Sequence, residues 1–171
     1  MTHSTIPTMT PASPVFISGS LSIRHLPRPV ADRLSTIIDR GLPVVIGDAP
    51  GADAVVQRHL AERAKPDVMV YCSDPTPRAN LGNWPIRVIA SEGARGTAAF
   101  HAGKDRAMAQ DAQSGLAIWD GRSRGTLANI HRLCLRKCFV LVWFAPGERF
   151  LTLRSDADRI GFQKAYPARE P

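Results

Sequence analysis

Short apolar runs alternate with amphipathic segments along most of this chain, and that alternation limits the fold more than any other feature. The apolar runs occupy residues 15–17, 44–46, 68–71, 116–119 and 139–144. Each run is almost wholly apolar, which indicates strands covered on both faces, because a half-exposed strand would alternate polar and apolar side chains. The sequence therefore predicts an α/β fold: a three-layer, doubly wound, mostly parallel sheet with helices on both faces, of Rossmann-like type.

The segments between these runs have the periodicity of helices. In the first segment, Pro29 suits an opening helical turn and Gly41 a left-handed stop. Further helices are predicted at residues 54–64, 100–113 and 126–137, and weaker strand candidates at residues 86–89 and 150–153. Helices that connect successive strands in this way are typical of parallel sheets.

The length of 171 residues is enough for one domain with a sizeable core. We expect residues 1–13, rich in Thr, Ser and Pro, to be a disordered lead-in. Residues 14–171 are predicted to form a single domain, with its core at 15–144 and a C-terminal extension at 145–171. The end of that extension is expected to be a charged, proline-containing tail.

The charge and composition of the chain indicate which partners and which cellular location to expect. Lys and Arg number 22 against 15 Asp and Glu, a net charge of +7 that by itself suggests a nucleic-acid partner. The N-terminus lacks the apolar segment of a signal peptide, and the longest apolar run is far too short to span a bilayer. We therefore expect a cytoplasmic protein that has no membrane partner, keeps its three cysteines reduced and has no metal site.

The loops that follow the predicted strands carry the candidate ligand-binding residues. They are Gly19 and Ser20 after the first strand, Gly47, Asp48, Gly51, Ala52 and Asp53 after the second, and Asp120, Gly121, Ser123, Arg124, Gly125 and Thr126 after the fifth. Glycine lets backbone N–H groups approach a ligand closely, and a following helix N-terminus favours phosphate. The same residue types are common in ordinary turns, and none of these loops has a Walker A or Gly-x-Gly-x-x-Gly pattern.

Charged and aromatic side chains near these loops supply further candidates. Asp48 and Asp120 are the candidate catalytic carboxylates, whereas Asp53 is also explained as a helix cap. Trp119 lies immediately before the Asp-Gly turn, where it could contact a ligand. Basic side chains that could neutralise phosphate are Arg24, Arg95, Lys104, Arg122 and Arg124. A small phosphorylated or nucleotide-like ligand is therefore predicted, with no certain cofactor.

Four motifs resemble those of the SLOG superfamily, and of its YspA-like branch in particular. They are the Gly19-Ser20 turn, the Gly-Asp-Ala-Pro-Gly-Ala-Asp turn at 47–53, the Lys-Asp-Arg-Ala-Met segment at 104–108, and the Trp-Asp-Gly-Arg-Ser-Arg-Gly-Thr loop at 119–126. The superfamily includes YpsA, the DNA-processing protein DprA and the lonely-guy phosphoribohydrolases. The resemblance covers residues 15–144 and implies a Rossmann-like domain that senses or processes a nucleotide-derived ligand, with Lys104 and Arg124 as its strongest basic contacts.

Two departures from the superfamily count against turnover. Asn129 stands where lonely-guy enzymes have a catalytic glutamate, and Ala112-Gln113 replaces the Ala-Asp of the related deoxyribosyltransferases. Cleavage of an N-glycosidic bond needs a carboxylate near the reacting carbon. Three alternatives stay open: N-glycosidic hydrolysis or transfer, DprA-like nucleic-acid binding, and an oligomeric scaffold without a ligand. Related folds often form dimers through helix faces, so a homodimer or higher oligomer is also open.

Overall fold

The computed structural model describes residues 12–168, which form a sheet with helices packed against it. The strands are β1 (Val15–Gly19), β2 (Val44–Gly47), β3 (Val68–Cys72), β4 (Ile86–Val88), β5 (Ser114–Trp119), β6 (Phe139–Phe144) and β7 (Arg149–Leu153). The helices are α1 (Arg28–Asp39), α2 (Ala52–Glu62), α3 (Ala98–Asp111), α4 (Arg124–Leu135) and α5 (Asp156–Ala165). Most of the predicted lead-in, residues 1–11, lies outside the described range.

Seven described strands lie in the order β4-β3-β2-β1-β5-β6-β7. Strands β1 to β6 run parallel, and β7 pairs antiparallel with β6 at one edge. This order confirms the predicted Rossmann-like, mostly parallel α/β fold. The order reverses at β1, which lies between β2 and β5, so the chain leaves the ends of β1 and β5 toward opposite faces of the sheet.

Helices α1 and α2 cover one face of the sheet. Val30 and Leu34 of α1, with Val56 and Leu60 of α2, are buried against alternate side chains of the central strands. In β5 these are Leu116 and Ile118, which point to this face because successive strand residues alternate. Burial of each such side chain contributes about 2 kcal/mol.

Helices α3, α4 and α5 cover the other face. Their buried contacts include Met108 of α3, Ile130 and Leu133 of α4, and Phe162 of α5. Trp119 of β5 also points to this face, where its ring lies 5.0 Å from that of Tyr166. The helix α3 lies here because it carries the chain from β4 across the sheet to β5, and a right-handed crossover in that direction passes over this face.

No helix is predicted from the sequence in the charged C-terminal tail, where the structure has α5 at Asp156–Ala165. Ser155 accepts a hydrogen bond from the Asp158 N–H, while the Asp158 carboxylate accepts one from the Ser155 N–H, and this capping box starts the helix. Phe162 then buries one side of the helix against the core. The charged residues obscured this signal, although one of them, Arg159, is buried and donates to the carbonyl of Cys138 at 3.1 Å.

No helix in residues 12–168 has the length and apolar character required to cross a lipid bilayer.

Candidate functional site

The loops after β1, β2 and β5 meet at the carboxyl edge of the sheet, on either side of the point where the strand order reverses. This is where open α/β sheets bind ligands, because the diverging connections leave a crevice. The first loop begins at Ser20, the second spans residues 48–51, and the third spans residues 120–123. The predicted loop residues are therefore brought together at one edge.

Ser20 joins these three loops. Its side chain is fully buried, and its N–H donates to the carbonyl of Ile118 at 2.9 Å. Its carbonyl accepts from the N–H of Ala52, the first residue of α2, at 3.1 Å. Its hydroxyl accepts from the N–H of Asp120 at 3.1 Å and lies 3.3 Å from the hydroxyl of Thr126. The backbone and hydroxyl of this one residue thus hold the three loops together.

Two glycines allow this close approach. Gly51 has a φ of 82°, and a Cβ at this position would lie 2.4 Å from the carbonyl oxygen of Leu21. A Cβ at Gly19 would lie 2.4 Å from the Cβ of Ala52. Any larger residue would push the first and second loops apart.

The carboxylate of Asp120 organises the third loop. Its Oδ1 accepts hydrogen bonds from the N–H groups of Arg122 at 2.9 Å and Ser123 at 2.7 Å, and its Oδ2 accepts one from the hydroxyl of Ser22 at 2.7 Å. Burial alone would raise the pKa of Asp120, but these hydrogen bonds outweigh it and hold the pKa below its usual value. Asp120 is therefore a fixed anion whose oxygens already have donors.

The first turn of α4 leaves donors available. Ser123 caps the helix by accepting a hydrogen bond from the N–H of Thr126. Within residues 12–168, the N–H groups of Arg124 and Gly125 have no acceptor. Both residues are exposed, and the helix dipole adds partial positive charge at this end. This turn can hold an anion.

A buried cluster of charges lies behind the second loop. Lys104 of α3 is 4% exposed, and its ammonium donates to Asp105 at 2.8 Å. Burial opposes its charged form, but Asp105 and Asp53 hold the pKa of Lys104 above its usual value. A Cβ at Gly47 would lie 2.5 Å from Oδ2 of Asp53 and 3.0 Å from Nζ of Lys104, so glycine leaves room for both side chains.

Asp53 is the residue of this cluster whose pKa burial raises. Burial raises its pKa to about 7, although Lys104 and the N–H of Ala49, which donates at 3.2 Å, favour its charged form. A protonated Asp53 leaves Lys104 balanced by Asp105 alone. The cluster is then close to electrically neutral, which is the less costly state for buried groups.

Asp48 is held by Arg78, from the loop after β3. The guanidinium donates to Oδ1 at 2.8 Å and the backbone N–H of Arg78 donates to Oδ2 at 2.9 Å. Burial would raise the pKa of Asp48, but Arg78 and the charge of Lys104 hold it below its usual value. Like Asp120, this candidate catalytic carboxylate is an anion with occupied oxygens.

Some predicted contacts lie apart from the crevice. Trp119 is buried among the aromatic residues beside α5, and its indole N–H donates to the carbonyl of Ser123 at 3.1 Å. It lines a cavity of about 90 Å³ with Arg122, Arg124 and Tyr166. Lys104 is enclosed by the buried cluster described above.

The two remaining basic candidates are exposed and already paired. Arg95 pairs with Asp74 at 2.8 Å, and Arg24 donates to the carbonyl of Leu21 at 2.9 Å. Their pairing leaves Arg122 and Arg124 as the basic candidates next to the first turn of α4.

Sequence reasoning missed several polar residues that complete the site. Buried Gln57 donates to the carbonyl of Gly47 at 2.9 Å and accepts from the N–H of Leu81 at 3.0 Å. Buried Asn129 donates to Asp105 at 3.3 Å and so connects α4 to α3. The sequence offered one signal for both residues, which is an amide side chain on the otherwise apolar face of a helix. An amide buried there needs hydrogen-bond partners, so it indicates a polar contact. Within residues 12–168, no group of three His, Cys, Asp or Glu side chains could hold a metal ion.

Replacing Ser20 by alanine should destabilise the domain by about 1–3 kcal/mol, because the part-buried N–H of Asp120 loses its acceptor on the buried Ser20 side chain. Ser22→Ala removes an exposed hydroxyl that donates to the carboxylate of Asp120 and should change stability by less than about 1 kcal/mol. Urea denaturation of the two variants measures the difference. Equal effects would show that Ser20 does not join the loops.

Asp53 should make stability fall as the pH rises. Between the usual pKa of 3.8 and the folded value of about 7, the folded state keeps a proton that the unfolded state has lost. This contribution is complete below the lower value and decreases by about 1 kcal/mol per pH unit toward the higher one. Urea denaturation from pH 4 to 8 should show that Asp53→Asn removes this slope, whereas exposed Asp67→Asn retains it. An unchanged slope in Asp53→Asn contradicts the assignment.

Comparison with protein-family models, curated proteins and solved structures gives no match for this chain. Its classification therefore comes from the architecture described above. The chain is an α/β domain of Rossmann-like type with a mostly parallel sheet of seven described strands.

Proposed function

We propose that this protein binds a small phosphorylated ligand of nucleotide type in the crevice between the loops after β1, β2 and β5. The observation that carries the proposal is the first turn of α4. The N–H groups of Arg124 and Gly125 lack acceptors among residues 12–168 and lie at the reversal of strand order. A phosphate would satisfy both donors and benefit from the helix dipole.

The charge around that turn supports an anionic ligand. Arg122 and Arg124 are exposed, and neither forms an ion pair with a described carboxylate. An arginine can add two parallel hydrogen bonds to a phosphate. The exposed side chain of Leu21, on the first loop, offers an apolar surface for the body of such a ligand.

The resemblance to the SLOG superfamily adds the nucleotide character to the proposal. The Trp-Asp-Gly-Arg-Ser-Arg-Gly-Thr segment at 119–126, its most specific motif, coincides with the third loop and the first turn of α4. The Gly-Asp-Ala-Pro-Gly-Ala-Asp segment at 47–53 coincides with the second loop. Both motifs thus occur at the ligand-binding edge that the strand order indicates.

The surroundings of the candidate catalytic carboxylates favour ligand binding over catalysis. Asp48 and Asp120, the candidate catalytic carboxylates, each accept hydrogen bonds from the protein on both oxygens. A nucleophilic carboxylate needs one oxygen free to reach the reacting carbon. Asn129 donates to Asp105 at the position where the lonely-guy enzymes carry glutamate, so it completes a structural contact there.

The net charge of +7 supports nucleic acid as a second candidate ligand. A minority of the positive side chains are matched locally, since Arg63, Arg78, Arg87, Arg95 and Arg159 form ion pairs. Among residues 12–168, arginines without an ion pair occur at both ends of the sheet, at Arg124 and at Arg154. A phosphate-sized site at one edge accounts for the loops better than a nucleic-acid surface does.

Placing a negative charge at Gly125 should abolish phosphate binding and preserve the fold. A Cβ at this exposed position contacts nothing within 4 Å, and an acidic residue suits the first turn of a helix. Calorimetric titration should give a Kd for AMP below about 1 mM in the unchanged protein and binding at least about tenfold weaker in Gly125→Glu.

Two control variants separate the effect of a negative charge at residue 125 from the effects of side-chain size and of a charge elsewhere. Gly125→Gln has similar bulk without charge and should bind AMP nearly as well as the unchanged protein. Gly161→Glu adds the same charge on α5, at a position where a Cβ also contacts nothing within 4 Å, and should leave binding unchanged. Failure of the unchanged protein to bind AMP, ADP-ribose or inorganic phosphate at about 10 mM would refute the proposal. Salt-sensitive retention on DNA in that case would favour the second candidate.

A further inference from the structure

A second cavity lies at the amino ends of the strands, opposite the proposed nucleotide crevice. Its volume is about 310 Å³, within the range of small-molecule sites. Side chains of α1 form one wall, and the first halves of β5 and β6 with the end of β7 form the floor. The residues of the proposed nucleotide site do not line it.

The topology explains why this cavity exists. The described helices on this face, α1 and α2, carry the chain between β1, β2 and β3, whereas α4 and α5 pack on the opposite face. Among the described helices, none therefore lies over β6 and β7 on the cavity side. Ile37 of α1 and Leu141 of β6 give the cavity an apolar interior.

Three arginines surround this apolar interior. They are Arg33 and Arg40 of α1 and Arg154 after β7. Within residues 12–168, none of the three forms an ion pair, and no carboxylate lines the cavity. Positive charge is thus concentrated beside an apolar surface without a counter-charge from the protein.

Aromatic rings hold two of these arginines in position. The guanidinium of Arg33 lies 5.7 Å from the centre of the Phe150 ring, and that of Arg154 lies 5.4 Å from the centre of the Phe139 ring. Stacking of this kind restricts the side chain while leaving its N–H groups free. Less freedom is then lost when an anion binds.

We infer that this cavity binds a small organic acid, with its carboxylate among the three arginines and its apolar body against Ile37 and Leu141. A volume of 310 Å³ corresponds to about ten water-sized groups, and an eight-carbon carboxylate has about ten non-hydrogen atoms. The chemistry of the lining matches both parts of such a ligand: guanidinium groups for the carboxylate and aliphatic side chains for the chain.

Charge argues against a second copy of this protein as the occupant. A two-fold interface places the same patch of both copies face to face. Such an interface would bring Arg33, Arg40 and Arg154 of both copies together, and no described carboxylate lines the cavity to offset their repulsion. An anionic small molecule would neutralise the positive charge of these arginines, whereas a second copy would double it.

Calorimetric titration with octanoate and with uncharged octanamide tests the inference. We expect octanoate to bind the full chain with a Kd near about 1 mM, and octanamide to bind at least about tenfold more weakly. Arg40→Gln and Arg154→Gln should each weaken octanoate binding several-fold, and raised salt should weaken it in the unchanged protein. Thr152→Trp, which adds bulk at the cavity wall, should abolish it.

The control is Arg58→Gln on α2, which removes the same charge from an exposed position outside the cavity. It should leave octanoate binding unchanged. Equal affinities for octanoate and octanamide, no octanoate binding at about 10 mM, or equal weakening in Arg58→Gln would overturn the inference. A dimer in sedimentation experiments that Thr152→Trp converts to monomers would also overturn it, by assigning the cavity to a second copy.

Discussion

The buried hydroxyl and backbone of Ser20 hold together the edge of the sheet on which the proposed function depends. This residue donates to β5, accepts from the start of α2, and accepts from the N–H of Asp120. Parallel strands bring their loops to a common edge, but they do not fix the spacing of those loops. The hydrogen bonds of Ser20 fix it, and glycines at positions 19 and 51 permit the close contact.

Charge is distributed over three places with different physical roles. In the buried cluster, Asp105 balances the charge of Lys104, and burial favours the uncharged form of Asp53. The first turn of α4 and its arginines form the proposed anion-binding site, while Arg33, Arg40 and Arg154 surround a separate cavity. The two proposed sites would use part of the excess of positive charge in the composition to bind small anions.

The strands and their order along the chain follow from apolar runs in the sequence, since a strand covered on both faces has few alternatives. The loops at the strand ends could be predicted as well, because each of them begins where an apolar run ends. Helix α5 was not predicted, because its core contact rests on few residues such as Phe162. The enclosure of Lys104 and the anchoring of Asp120 could not be predicted either. They depend on partners distant in the sequence, Asp53 and Ser22, whose proximity only the folded chain establishes.

Amide chemical shifts of the isotope-labelled protein during titration with AMP test the central claim most directly, because they locate the ligand without any substitution. The account predicts that the largest shifts occur at residues 121–126, with smaller ones at residues 51–54, and that residues 33–40 do not respond. Shifts confined to residues 33–40 and 152–154, or no shift in either loop up to about 10 mM AMP, would contradict it.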